Sequence, residues 1–143
     1  EAKCIFAGRN MPDTMIAKTG NGLHIKGDVD DASALFKTND ILVLPLLSGG
    51  GMRVKILEAM AMGKVVISTS VGAEGIHGEN GKHFILADDA QSMADEIHKV
   101  YQGDYNLTAI GNAARNLVEE HFSNAKISRE LIYFCQRIAG FKR

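Results

Sequence analysis

The chain has 143 residues, 45% apolar and 23% charged, with a formal net charge of −1. That length fits one domain able to bury a core, and the near-neutral balance gives no general attraction for nucleic acid or anionic lipid. The longest apolar run, Ile41 to Leu47, is seven residues and contains Pro45, well short of a membrane span. Basic residues read as scattered, apart from Lys142-Arg143 at the end. Cys4 and Cys135 have no CxxC partner and no His at ligand spacing, which predicts two reduced structural thiols in a cytoplasmic protein. The opening residues run straight into an apolar segment, so no signal peptide is expected.

In chain order, Cys4–Ala7 reads as a strand ended by Gly8, and Leu23–Lys26 as a second ended by Gly27. Asp30 and Asp31 sit where an N-cap and a first-turn acid belong, ahead of a helix to about Lys37. Ile41–Leu44 is a third strand, apolar on both faces, as in a parallel sheet covered on each side. Arg53 to Met62 is helical, with Val54, Leu57 and Ala61 along one stripe, and Gly63 ends it. Val65–Ser68 is a fourth strand, Gly72 to Gly81 a glycine-rich loop, and His83–Leu86 a short fifth strand. Asp88 with Gln91 resembles a capping box opening a helix to about Tyr101. Two helices follow, near Leu107–His121 and Asn124–Ile138, the second with Ser123 as N-cap.

Alternating strands and helices with short connections predict a Rossmann-like, three-layer α/β/α domain. It would have a five-stranded parallel sheet and extra carboxyl-terminal helices. Such sheets bind ligands beyond the carboxyl ends of their strands, so the loops to inspect begin at Gly8, Gly27, Pro45 and Thr69.

The informative stretch runs from Leu44 to Gly63. A strand ends at Pro45, Gly49, Gly50 and Gly51 follow, and a helix opens after Met52. Consecutive glycines let backbone N–H groups approach a ligand with no Cβ in the way. A helix start adds unpaired N–H groups and partial positive charge, which suit a diphosphate. Arg53, in the expected first turn, opposes the helix dipole unless an anion faces it; the alternative is a flexible loop with a solvated Arg. Glu58 has apolar neighbours Leu57, Ala59, Met60 and Ala61, so its carboxylate belongs at the edge of a buried region and needs donors, which ribose hydroxyls supply. Lys55, three residues earlier, is the competing partner in a surface ion pair.

The run Pro45–Gly63, followed by Val65–Thr69 and Gly72-Ala73-Glu74-Gly75, resembles the carboxyl-terminal domain of retaining glycosyltransferases of family 4, with the GT-B fold. Phe6–Asn10, Gly27–Asp31 and Ala87–Asp89 also fall at that family's usual places. The resemblance implies a site for a nucleoside diphosphate sugar, with uridine or guanosine as the base, formed by Gly49, Gly50, Gly51, Met52, Arg53, Val54, Lys55 and Glu58. It places Gly27, Asp28 and Val29 near the nucleobase, although Asp28 fits a turn residue equally well. Of the family's two motif glutamates, separated by seven residues, the second matches Glu58 and the first falls at Gly50, so no catalytic residue is assigned.

The resemblance further implies that residues 1–143 are a single carboxyl-terminal domain. The family's first strand–helix unit and its acceptor domain, which would take a saccharide or lipid-linked acceptor, lie outside it. Closing that gap would set the Cys4–Ala7 strand beside Ile41–Leu44, in the order 2-1-3-4-5. The reaction implied is sugar transfer with retained anomeric configuration, in cell-surface polysaccharide or glycolipid synthesis. The place implied is the cytoplasm or the inner face of a membrane, with no cofactor and no metal.

Other candidates read as structural. His24, His77, His83, His98 and His121 show no HxxxH pairing, and His24 and His83 fit half-buried strand positions. Met52, Met60 and Met62 fit core filler, and Ser48 and Ser68 lack a GxSxG elbow. Two rival functions remain: a non-catalytic flavodoxin-like binding module, and a nucleotide-sugar epimerase of related architecture.

Overall fold

The computed structural model describes residues 3–20, 22–138 and 140. They divide into two compact units, Glu1–Thr38 and Asn39–Arg143. In the first, β1 (Cys4–Ala7) pairs parallel with β2 (Leu23–Gly27), setting Cys4 beside Leu23 and Phe6 beside Ile25, with a register shift before Ala7. Between them lies a four-residue helix, α1 (Asp13–Ile16), which the sequence pattern did not announce; Pro12, at φ −63°, opens it. Helix α2 (Ala32–Thr38) buries Phe36. Its cap is Asp31, whose Oδ1 accepts from the Ser33 N–H at 2.8 Å, leaving no acid in the first turn. Those donors, the Ser33 side chain first, hold the Asp31 carboxyl below its usual range.

The second unit runs β3 (Ile41–Leu44), α3 (Val54–Ala61), β4 (Val65–Ser68), β5 (Ile85–Leu86), α4 (Ala90–Gln102), α5 (Leu107–Phe122) and α6 (Asn124–Ile138). Its sheet is parallel in the order β3-β4-β5, with Ile41 opposite Val65 and Ile67 opposite Ile85. Ladders of two and three strands thus replace the single five-stranded sheet. In the first unit β1 alternates exposed and half-buried positions, and Phe36 is the one buried apolar residue among those described.

The strand covered on both faces is β4, all four of whose residues are buried, whereas β3 keeps Val43 exposed. Val65, Ile67, Ile85, Ala87, Met93, Val100 and Ile110 form one core cluster, with Ile41, Tyr105 and Leu107 against it. Helix α3 buries Ile56, Ala59 and Met60 in place of the expected Val54, Leu57 and Ala61; Val54 is 64% exposed. Of the three methionines expected as filler, Met60 is in the core and Met52 is exposed. The capping box of α4 is Asp89 with Ser92, one residue past the expected Asp88 with Gln91. Asp88 is engaged elsewhere, by the Ser70 N–H at 2.6 Å and its hydroxyl at 2.9 Å. Strand β5 is cut to Ile85–Leu86, with Phe84 in an isolated bridge to Asn80. Cys4 and Cys135 are both exposed, so neither thiol is a core element. His24 is exposed too, while the half-buried His83 accepts the Glu79 N–H on Nδ1 at 2.9 Å.

One close approach fixes α5 against the turn that ends α3. A Cβ at Gly111 would lie 2.2 Å from the Gly63 carbonyl oxygen, and Gly63 holds φ +68°. Beside it the Arg115 Nε donates to the Ala61 carbonyl at 3.2 Å. In an open helix, replacing Gly by Ala gains about 1 kcal/mol. At this crossing the added methyl must push the turn away, so Gly111→Ala should instead destabilise by about 1–3 kcal/mol in urea unfolding. Stability equal to the parent or higher would show that the turn yields freely.

Candidate functional site

The site grows from the carboxyl end of the buried strand. Two polar residues close β4: the Ser68 hydroxyl donates to the Leu44 carbonyl at 3.0 Å, and the Thr69 hydroxyl to the Leu46 carbonyl at 2.5 Å. The Thr69 oxygen in turn accepts the Gly72 N–H at 3.0 Å. The segment leaving β3 is therefore tied at Leu44 and Leu46 to its neighbour before the glycines begin. Gly72 is needed there, because a Cβ would sit 2.1 Å from the Ser68 hydroxyl oxygen.

Beyond Leu46 the chain turns through Gly49 at φ +128° and Gly51 at φ +81°, both in the region that glycine tolerates. A Cβ at Gly50 would meet nothing within 4 Å, so that face of the loop is open. Arg53 lies at the N-cap position of α3, with extended backbone (φ −89°, ψ 100°), and not in the first helical turn as expected. Its carbonyl takes the first helical bonds, from Ile56 at 2.9 Å and Leu57 at 3.3 Å.

The Arg53 side chain folds back over the loop. Nη1 donates to the Gly50 carbonyl at 2.8 Å, and Nη2 lies 2.5 Å from where a Gly49 Cβ would stand. Nε and Nη2 are buried and have no hydrogen-bond partner. A buried charged donor without an acceptor is unfavourable, and with Nη1 anchored the remaining edge is the fork that takes both oxygens of one oxyanion. Met52 is held beside the loop after β4, where a Gly75 Cβ would lie 3.2 Å from its Cγ.

Glu58 is not at a buried edge. Its carboxylate pairs with Lys55 Nζ at 3.6 Å, and both side chains are about half exposed, at 47% and 57%. The residues Gly49 to Glu58 thus share one loop and one helix. Gly27, Asp28 and Val29 belong to the first unit, where the Gly27 carbonyl accepts the Gly8 N–H at 2.8 Å and Asp28 faces Arg9 at 3.4 Å. Sequence reasoning missed a cavity of about 170 Å³ at the ends of β3, β4 and β5, lined by Pro45, Leu47, Thr69, Asp88, Asp89, Ala90 and Met93. Backbone donation from Ser92, with its hydroxyl, keeps the Asp89 carboxyl on that rim below its usual range. No group of three or more His, Cys, Asp or Glu among the described residues is placed to hold a metal ion.

The chain is 29% identical over 126 residues to a glycosyltransferase of Methanocaldococcus jannaschii, covering 84% of this chain and 32% of the relative. It is 30% identical over 122 residues to the putative colanic acid biosynthesis glycosyltransferase WcaL of Escherichia coli, covering 80% and 28%. A protein from the cps region of Klebsiella pneumoniae is 28% identical over 98 residues, covering 68% and 25%. The chain therefore spans about a quarter to a third of these relatives' length. Among solved structures, Anabaena HepE in complex with UDP superposes with a TM-score of 0.81 at 18% identity, over 95% of this chain and 41% of that one. A glycosyltransferase from Rickettsia africae gives 0.81 at 24% identity, over 99% and 41%. These likenesses establish the fold as Rossmann-like α/β with parallel strands. The profile of the family described as glycosyl transferases group 1 matches residues 1–103, which take in β1 to β5 and the whole glycine loop, and the chain belongs to that family.

Proposed function

We propose that this chain is the donor-binding part of a retaining glycosyltransferase that moves a sugar from a nucleoside diphosphate to an acceptor hydroxyl. The pathway would be cell-surface polysaccharide or glycolipid synthesis. The observation that carries the reading is the Arg53 guanidinium, anchored on Gly50 with Nε and Nη2 buried and unpartnered. A diphosphate set against Gly49–Gly51 meets this fork and the start of α3 together. As the bond from the sugar C1 to the diphosphate oxygen breaks, negative charge grows on the leaving group. Fixed donors aimed at that charge favour the transition state over the bound donor. Support comes also from HepE, solved with UDP, and from WcaL, named for colanic acid biosynthesis.

Glu58 then exchanges Lys55 for the ribose hydroxyls. The acceptor, a saccharide or a lipid-linked one, belongs to parts of a longer protein. Its place is the cytoplasm, at the inner face of a membrane when whole. Among the described residues no helix is long and apolar enough to cross one.

Three outcomes test this. In a full-length protein, Glu58→Gln should weaken use of the donor by roughly 1–3 kcal/mol in kcat/KM, the range for an impaired charged hydrogen bond. Kinetics matching the parent would remove Glu58 from the site. Turnover should survive a chelator, because Arg53 supplies the cation at the leaving group; loss in EDTA that magnesium or manganese restores would mean the phosphate site works otherwise. The 143-residue chain alone should bind uridine or guanosine diphosphate weakly, on the order of millimolar, and transfer no sugar. Transfer by that chain would overturn the division of labour, and conversion of the donor without acceptor would point to an epimerase.

A further inference from the structure

Arg53 takes its seat on a loop that has little of its own to hold it. Among the described residues, the hydrogen bond made to Leu47–Gly51 is the one from Arg53 Nη1 to the Gly50 carbonyl. With Gly49 and Gly51 both at positive φ, such a segment has wide backbone freedom. Its position is therefore set at its two ends, and both are held from the turn that follows β4. At the start, Thr69 Oγ1 donates to the Leu46 carbonyl at 2.5 Å. At the far end Gly75 lies against Met52, so closely that a Cβ there would stand 3.2 Å from the Met52 Cγ.

One hydroxyl joins these two ends. Thr69 Oγ1 also accepts the Gly72 N–H at 3.0 Å, which draws the turn back onto the strand end. The Thr69 carbonyl accepts from Ala73 at 3.0 Å, and the Ala73 carbonyl accepts from Ile76 at 3.0 Å. Ala73 and Ile76 are buried, so the turn that carries Gly75 is seated in the core. Thr69 is itself only 3% exposed. A hydroxyl has one proton to donate, and Leu46 receives this one, so Thr69 has none left to give a ligand.

We propose that Thr69 is a positioning residue for Arg53. Its hydroxyl, bonded to both segments, makes the turn over residues 70–76 and the glycine loop one frame, and that frame sets where the guanidinium fork stands. Fixing a donor before its ligand arrives removes the cost of ordering it afterwards. All of these contacts lie inside the second unit. The inference rests on the donor reading for what the fork receives, but not for how the fork is held.

The test is the proton–nitrogen correlation spectrum of the isotope-labelled 143-residue chain, with the Arg53 Nε–H signal identified by its loss in Arg53→Lys. Thr69→Val keeps the side chain's shape and deletes the hydroxyl. It should move that signal in the free chain and speed its exchange with solvent, and Thr69→Ser should restore both. UDP or GDP added to the parent should shift the same signal, and Thr69→Val should weaken that binding by roughly tenfold. Met52→Ala releases the other end of the loop at an exposed residue, so it folds even where Thr69→Val does not, and it should move the Arg53 signal too. A folded Thr69→Val chain with the parent's Arg53 signal and affinity would overturn the proposal, leaving Thr69 as a support of the strand end. So would a parent-like signal in Met52→Ala. A parent whose Arg53 signal ignores both nucleotides would overturn the donor reading instead, and the free-chain signal would still decide what seats Arg53.

Discussion

The second unit depends on the complete burial of β4. Val65 and Ile67 point into the cluster shared with α4, α5 and β5, while the alternate residues Val66 and Ser68 are equally sequestered on the opposite face. A polar residue can end such a strand only if its hydrogen-bonding groups are satisfied. Ser68 and Thr69 meet that condition by donating to the Leu44 and Leu46 carbonyls. The requirement that stabilises the strand end also fixes the neighbouring strand's exit, and with it the origin of the glycine loop. Packing thereby places the glycine loop without any of Gly49, Gly50 and Gly51 lying in the core.

Within that loop, the glycines and Arg53 are mutually dependent. At φ +128°, Gly49 holds a backbone conformation that a side chain would strain, and it also vacates the volume that the guanidinium occupies. The guanidinium in turn ties the loop by donating to the Gly50 carbonyl. Leaving Nε and Nη2 buried without acceptors costs stability, and a site that carries such a cost gains more from an oxyanion than a solvated Arg would. An arginine among glycines, read in the sequence as placed against the helix dipole, is better described as standing just outside the helix and turned back on the loop.

Legibility followed the strength of the local signal. Every strand centre was readable, because short apolar runs between glycines are buried or half-buried almost by composition. Helix faces were less so. In α3 the residues Val54, Leu57 and Ala61 have the right spacing, yet Ile56, Ala59 and Met60 are buried, since a helix with apolar residues nearly all round offers more than one candidate stripe. Two adjacent acids, Asp88 and Asp89, left the cap of α4 ambiguous by one residue, and the choice was settled by Ser70 claiming Asp88. The glycine loop and Glu58 were legible as a motif. The seat of Arg53 was not, because it depends on where a side chain three residues beyond Gly50 folds. Nor was the split into two ladders, since β-type runs specify strands but not which strands pair.

Glu58 and Arg53 are bound to the protein in opposite ways, a difference that fits the separate tasks proposed for them. Lys55 and Glu58 are roughly half exposed, and a pair of that kind is generally worth about 0–1 kcal/mol. On the proposed reading, exchanging Lys55 for two ribose hydroxyls would carry little penalty, as a group that selects a ligand at equilibrium requires. Arg53 is anchored on the Gly50 carbonyl and lies in the volume a Gly49 side chain would fill, so on the proposed reading it would stay in place as a group departs. A fixed cation cannot relax to suit the ground state, and its interaction strengthens only as charge develops in front of it. On the proposed reading, the exposed Glu58 would serve recognition, and the anchored Arg53 would serve the step in which the diphosphate leaves.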